Sequence, residues 1–332
     1  MEPMGIPATQ SRSSRYVANT LRVVVRPAVD LLPATSLSVL AARGLLDTVL
    51  PALAPSRRAR IRAERAYHEG RPVRGEWVHG PVPLRSDAVV LYLHGGAFLC
   101  GSPRSHRGLI AQLSARAGLP VFSLDYRLAP RYRYPAAAKD VLNAFRLLLA
   151  RGYPAERIVV AGDSAGGHLA LGLAIAAREQ GLPQPAALVL FSPLVDFSAN
   201  TAAAVDEHRR DPYLSARLAK RMLPLYGRSG EPGLELLRGD LSGLPPILLQ
   251  AGDAEMLSGD ARALASLVNT EGGNCTLEIW PGQVHVFQAL YRLLPEARGA
   301  LAHAGHYIRT RLGEPVAQKA GRAQLSGDST PP

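Results

Sequence analysis

From about residue 75 to residue 311, short and almost unbroken apolar runs alternate with longer stretches of helical periodicity. The runs at 89–93, 120–124, 157–161, 187–191, 247–251 and 276–280 each read as a buried strand. Between them, 136–150 reads as a helix ended by Gly152, and a second helix runs from about Ala165 to Gln180. His106 stands at the start of another, and a last helix is expected over about 287–311. Strands that are apolar on both faces and alternate with helices imply a mostly parallel sheet covered on both sides. Residues 199–235 break the rhythm with charged helical pieces and no clear strand, and are expected to form an insertion above the sheet.

Upstream, residues 14–70 read as helical. Val17, Leu21, Val24 and Val25 share one stripe, and Val39, Ala42, Leu46 and Leu50 another, with Pro33, Pro51 and Pro55 as punctuation. Residues 1–13 and the tail from Gly313 are polar, lack periodicity and are expected to be disordered. The division is an N-terminal segment (1–74), an α/β core (75–312) carrying the 199–235 insertion, and the tail (313–332).

Composition narrows the classes. A chain of 332 residues suits one α/β domain with a lid, and 47% hydrophobic residues argues against global disorder. The net charge of +11 is uneven: residues 1–74 hold twelve arginines against five acidic residues. No zinc-finger, RNA-binding or helix-turn-helix signature accompanies them, so nucleic acid is not an expected partner. The arginines read as solvated surface charge; Arg57, Arg58, Arg60, Arg62 and Arg65 are the candidate weak contact with a membrane surface. Two cysteines, Cys100 and Cys275, are too few for a disulfide scaffold and point to free thiols in a reducing compartment. No secretory signal is visible, and the apolar stretch 37–53 is interrupted by Arg43, Asp47 and Pro51. A soluble, cytoplasmic protein, monomeric or homodimeric, is expected.

The chemistry concentrates at strand ends. Gly162-Asp163-Ser164-Ala165-Gly166-Gly167 follows one strand and opens a helix. A sharp turn of that kind holds a serine hydroxyl clear of the backbone, and small neighbours let helix and strand close up. A phosphate-binding loop would need a Lys before Ser or Thr, which is missing. His94-Gly95-Gly96-Ala97-Phe98 follows another strand. Alone it is a Gly-rich turn; beside the serine it supplies backbone N–H donors for a developing oxyanion. Of nine histidines, His285 alone follows a strand and turn and precedes a helix. His94 braces the glycine turn, and the His303/His306 spacing is weak grounds for a metal, so none is expected. The acid that orients the base should follow the strand at 247–251, where Asp253, Glu255 and Asp260 all qualify by position.

Taken together, 94–98, 125–130 (DYRLAP), 162–167, Ser192-Pro193, 239–246 and 282–287 resemble the hormone-sensitive lipase family of bacterial esterases over about residues 75–310. The resemblance implies an eight-stranded α/β-hydrolase sheet, flanked by helices. It also implies a helical cap built from the N-terminal segment and the insertion. It implies Ser164 as nucleophile, His285 as base, and Gly95, Gly96 and Ala165 as oxyanion donors, with His94 and Asp163 in support. Its acid-x-Leu frame falls on Glu255-Met256-Leu257 and selects Glu255. Three departures stand out: Ala97 for a third glycine, Glu255 for the usual Asp, and Arg131 after Pro130. The Gly-Gly-Ala form implies acceptance of bulky, even tertiary, alcohol esters. The expected activity is hydrolysis of short- to medium-chain acyl esters of small molecules through an acyl-enzyme, without cofactor. The rivals are a deacetylase or formamidase using the same triad, a non-catalytic ligand-binding homologue, and a lipid-surface binding module.

Overall fold

The apolar runs become the centre of a single sheet. The computed structural model describes residues 5–82 and 85–313, so residues 1–4 and the tail expected to be disordered from 314 lie outside the described residues. The strands are β1 (Arg60–His68), β2 (Arg71–His79), β3 (Val89–Leu93), β4 (Val121–Leu124), β5 (Ile158–Asp163), β6 (Ala187–Phe191), β7 (Ile247–Gly252) and β8 (Cys275–Trp280). Their order is β1-β2-β4-β3-β5-β6-β7-β8. From β3 to β8 all neighbours are parallel, while β1 pairs antiparallel with β2, and β2 with β4.

The helices are α1 (Arg12–Thr20), α2 (Arg26–Leu31), α3 (Ser36–Leu53), α4 (Pro103–Ala117), α5 (Ala136–Ala150), α6 (Ala165–Glu179), α7 (Asn200–His208), α8 (Ala216–Met222), α9 (Ser258–Thr270) and α10 (Pro295–Arg311). Alternation along β3 divides the core. Leu91 and Leu93 pack with residues of α5, α6 and α9, whereas Val90 and Tyr92 pack with α4 and α10. Each such buried Leu or Val contributes about 1.5–3 kcal/mol relative to exposure. After β3 the chain steps to one side for β4 and to the other for β5. In sheets of this kind, ligands bind beyond the carboxyl ends of the strands at such a reversal.

The structure departs from the sequence reading in three places. First, 60–79 is a β-hairpin rather than a helical stretch, so the sheet begins at Arg60 and the N-terminal segment ends well before residue 74. β1 is the outer edge strand, and its arginines remove the apolar run that marks a central strand while blunting the open edge. The turn, Glu69-Gly70, has positive φ at both positions (48° and 71°), the geometry that matches strand twist. Second, 287–311 is not one helix: a short turn at Phe287–Leu290 ends before Pro295 opens α10. Proline fits the first helical turn but not a helix interior. Third, residues 5–13, expected to be loose, lead into a capped helix. The Ser11 hydroxyl accepts from Ser14 N–H (3.1 Å), and Ser11 N–H donates to Glu296 (2.6 Å). Residues 199–235 hold α7 and α8 and no named strand.

Candidate active site

Ser164 sits where β5 gives way to α6, with φ 53° and ψ −118°. A non-glycine residue there costs about 1–3 kcal/mol and persists only when its surroundings impose it. The imposition is visible in the neighbouring glycines. A Cβ on Gly162 would come within 2.5 Å of the Gly166 carbonyl, and one on Gly167 within 2.7 Å of Pro193. A Cβ on Gly166 would overlap the carbonyl of Leu93. These absent side chains let the turn close, and Ser164 N–H then donates to Phe191 O (2.9 Å) while Leu194 N–H donates to Ser164 O (3.1 Å).

The glycine loop after β3 lies alongside because β3 and β5 are neighbours, with Leu93 paired to Gly162. Gly96 has φ 117°, and Ala97 and Phe98 follow at 53° and 63°. A Cβ on Gly95 would collide with the Asp163 carboxylate. The N–H groups of Gly95, Gly96 and Ala165 donate to no backbone acceptor among the described residues. Unused backbone N–H donors of this kind are what an acyl-transfer oxyanion requires.

Beneath this loop lies a buried polar cluster. Tyr92 donates its hydroxyl to Asp163 (2.7 Å), His106 Nε2 lies 3.3 Å from the same carboxylate, and His94 Nδ1 lies 2.8 Å from Gly95 O. His94 stacks on Tyr126, whose hydroxyl donates to His94 O (2.7 Å). Burial pulls the His94 imidazole down to about 3. Burial also opposes charge on His106 and Asp163, but their mutual attraction outweighs it, so His106 is raised and Asp163 lowered. These shifts favour a neutral His94 and favour charge on the His106–Asp163 pair.

His285 and Glu255 stand beyond β8 and β7, which are neighbours. Glu255 Oε2 lies 2.6 Å from His285 Nδ1, and both residues are buried. Glu255 Oε1 accepts from the Ser192 hydroxyl (2.8 Å) and from Gly252 N–H (2.7 Å). Ser192 in turn accepts from Val286 N–H (3.0 Å). The carboxylate on Nδ1 fixes the tautomer that leaves Nε2 as the basic nitrogen. Burial works against a charged His285, yet the Glu255 hydrogen bond and charge, aided by Asp211 and Asp163, hold it above its ordinary value.

The other two carboxylates lie elsewhere. Asp253 accepts from Gly282 N–H (2.5 Å) and pairs with Arg209 (3.3 Å), bracing the loop before His285. Asp260 accepts from Val195 and Asp196 N–H (2.8 Å each), and burial pushes it up to about 7. Of the three acids eligible from sequence, only Glu255 meets His285.

The site also draws on the insertion and the N-terminal segment. Tyr213 donates its hydroxyl to His285 O (2.8 Å), and Asp211 accepts from Met256 N–H (2.8 Å). Buried Arg26 of α2 pairs with Asp206 (2.8 Å) and donates to the carbonyls of Asp211 and Leu214. Ser192, His106, Asp211, Tyr213 and Arg26 were not singled out as site residues. Ser192 was within reach, since Ser192-Pro193 belongs to the motif set; the others find partners far along the chain, which periodicity cannot reveal.

Comparison with known proteins places this geometry. Residues 90–289 match the family model described as alpha/beta hydrolase fold. An acetyl-hydrolase of Streptomyces hygroscopicus is 41% identical over 72% of this chain and 80% of its own length. The esterase LipU of Mycobacterium tuberculosis is 40% identical over 68% of this chain and 78% of its own length. A crystal structure of an esterase from the bacterial hormone-sensitive lipase family superposes with a TM-score of 0.81 at 34% identity, covering 92% of this chain and all of that one. With its sheet order, serine turn and glycine loop, the chain belongs to the hormone-sensitive lipase family of esterases, built on the α/β-hydrolase fold.

Proposed function

We propose that this chain hydrolyses short- to medium-chain acyl esters of small molecules by way of a Ser164 acyl-enzyme. Ser164 Oγ attacks the acyl carbon as His285 Nε2 takes its proton. The carbonyl oxygen becomes an oxyanion received by the N–H groups of Gly95, Gly96 and Ala165. The tetrahedral centre collapses, the ester C–O bond breaks, and His285 returns the proton to the departing alcohol. Water then attacks the acyl-Ser164 and gives its proton to His285; the second tetrahedral centre collapses, the C–Oγ bond breaks, Ser164 Oγ takes the proton back from His285, and the carboxylic acid leaves. Glu255 orients the imidazole and stabilises its charged form. The scheme calls for no metal or cofactor.

The observation that carries this reading is the 2.6 Å contact between Glu255 and His285 at the same carboxyl end of the sheet as the strained turn of Ser164. The retained base argues against a non-catalytic binding homologue. The N-terminal segment and the insertion, joined through Arg26, are proposed to roof the crevice. Free thiols at Cys100 and Cys275 agree with a reducing, cytoplasmic setting.

A p-nitrophenyl ester series from acetate upward tests the activity, with the matching anilides as controls. Rapid turnover of short and medium esters is expected, falling for long chains. Faster cleavage of the anilide than of the ester would instead make the chain an amidase. Because Ala97 stands in the Gly-Gly-Ala form, a tert-butyl ester should also be cleaved measurably; cleavage of primary esters alone would contradict that extension.

A further inference from the structure

The N-terminal segment carries an apolar face that no described residue covers. Helix α3 is apolar around most of its circumference and, by length and composition, is the one described helix able to cross a membrane. Helices apolar on all sides are ordinarily buried, yet here only Val39 is buried. Leu37, Leu40, Leu45, Val49 and Leu53 face outward, with Leu37 76% exposed. The preceding segment continues the pattern: Val23 is 74% exposed and Leu31 83%. Soluble monomers rarely expose apolar patches of this extent without a partner.

Charge identifies the partner. Residues 12–58 contain seven arginines and two aspartates. Asp30 is neutralised by Arg26 (3.1 Å) and Arg210 (2.7 Å), and Asp47 accepts from the Ser102 hydroxyl (2.5 Å). Basic residues of the insertion border the corner between α2 and α3: Arg221 donates to Leu32 O (2.8 Å), with Arg217 and Lys220 exposed on the same helix. Exposed Arg22 adds to this border, and exposed Glu207 is the acidic group on α7 nearby. A second copy docked here by two-fold symmetry would set these cations against themselves. An anionic lipid surface satisfies both features, since apolar side chains enter the acyl boundary and arginines meet the phosphates. The polar residues of α3 fix it flat rather than across a bilayer: Arg43 donates to Leu99 O and Ala129 O (2.7 Å each), tying the inner face to the domain.

We propose that the outer face of α2 and α3, with its arginine border, docks the protein on anionic phospholipid bilayers. This does not depend on the ester-hydrolase reading. The test is flotation of the full chain with phosphatidylcholine vesicles, with and without phosphatidylglycerol. Binding to the anionic vesicles is expected, weakening as salt is raised. Leu31→Ser/Leu37→Ser/Leu40→Ser should lower it by about tenfold or more, and Arg217→Gln/Arg221→Gln should lower it while flattening the salt dependence. Melting curves confirm that each variant folds, and the charge variant stands should the apolar one not. Flotation equal with neutral and anionic vesicles, or unchanged in both variants, overturns the proposal. So does a wild-type chain that never floats but scatters light as a dimer that the leucine variant splits; the face is then an interface between copies.

Discussion

His285 shows how single residues set the chemistry. Its imidazole is held above the ordinary histidine value of about 6.5 because Glu255 outweighs the cost of burial. With the neutral imidazole as the proposed base, kcat/KM should climb with pH through a midpoint above that value. Glu255→Gln removes the raising partner and leaves the burial, so the midpoint should move down. It also favours the wrong tautomer, with a loss in kcat that approaches about 10⁴-fold in related triads. Asp253→Asn, which touches the loop and not the ring, should keep most of kcat. An Asp253 variant more crippled than the Glu255 variant reverses the assignment.

A second prediction at this scale concerns the polar cluster beneath the glycine loop. His106→Leu leaves the Asp163 charge buried with only Tyr92 as partner, and should cost about 3–5 kcal/mol in denaturant unfolding. Adding Asp163→Asn should recover part of that loss, since the orphaned charge goes with it. A double variant that loses the full sum of the two single effects would mean no coupling between them. Sequence exposed this site unevenly. Ser164, His285 and the glycines stand at strand ends and are found by position. Glu255 shares its strand end with two other carboxylates, and only the acid-x-Leu frame separates it. His106 and Asp163 lie 57 positions apart, and no local pattern joins them.

Among elements, the parallel strands were legible and the antiparallel hairpin was not. A central strand such as β3 is buried on both faces and so spells an unbroken apolar run. β1 has a single neighbour, and its side chains alternate between partial burial and water, so Arg60–His68 reads as amphipathic and charged. The N-terminal helices depend on tertiary ties rather than on their own packing, and Arg26 supplies several at once. Arg26→Ala should cost about 3–5 kcal/mol and speed proteolysis within residues 12–58, while Arg22→Ala, exposed and bonded only to Asn19, should do neither. Because the sheet starts at Arg60, removal of residues 1–56 spares every strand. If the segment roofs the site, that truncation shifts acyl-chain preference; an unchanged profile with normal stability would make it an appendage.

Across the described residues, burial is graded from the sheet to the N-terminal helices. β3 and β5 are wholly inaccessible, whereas α1 to α3 leave much of their surface in water. Amide hydrogen exchange should therefore be slowest in β3, β5 and β6 and markedly faster in residues 12–58. Uniform protection across both regions would contradict this gradient. The buried carboxyl ends of the central strands present the serine, and the more exposed N-terminal helices, with their leucines, meet the surroundings.

The central claim is that Ser164 alone accepts the acyl group. The most direct test is intact-protein and peptide mass spectrometry of the chain quenched during turnover of p-nitrophenyl butyrate, beside Ser164→Ala treated identically. The account predicts one butyryl adduct on the wild-type chain, located on the peptide containing Ser164. It predicts neither adduct nor more than trace hydrolysis in the variant. A butyryl group on another residue, or substantial hydrolysis by Ser164→Ala, would contradict it.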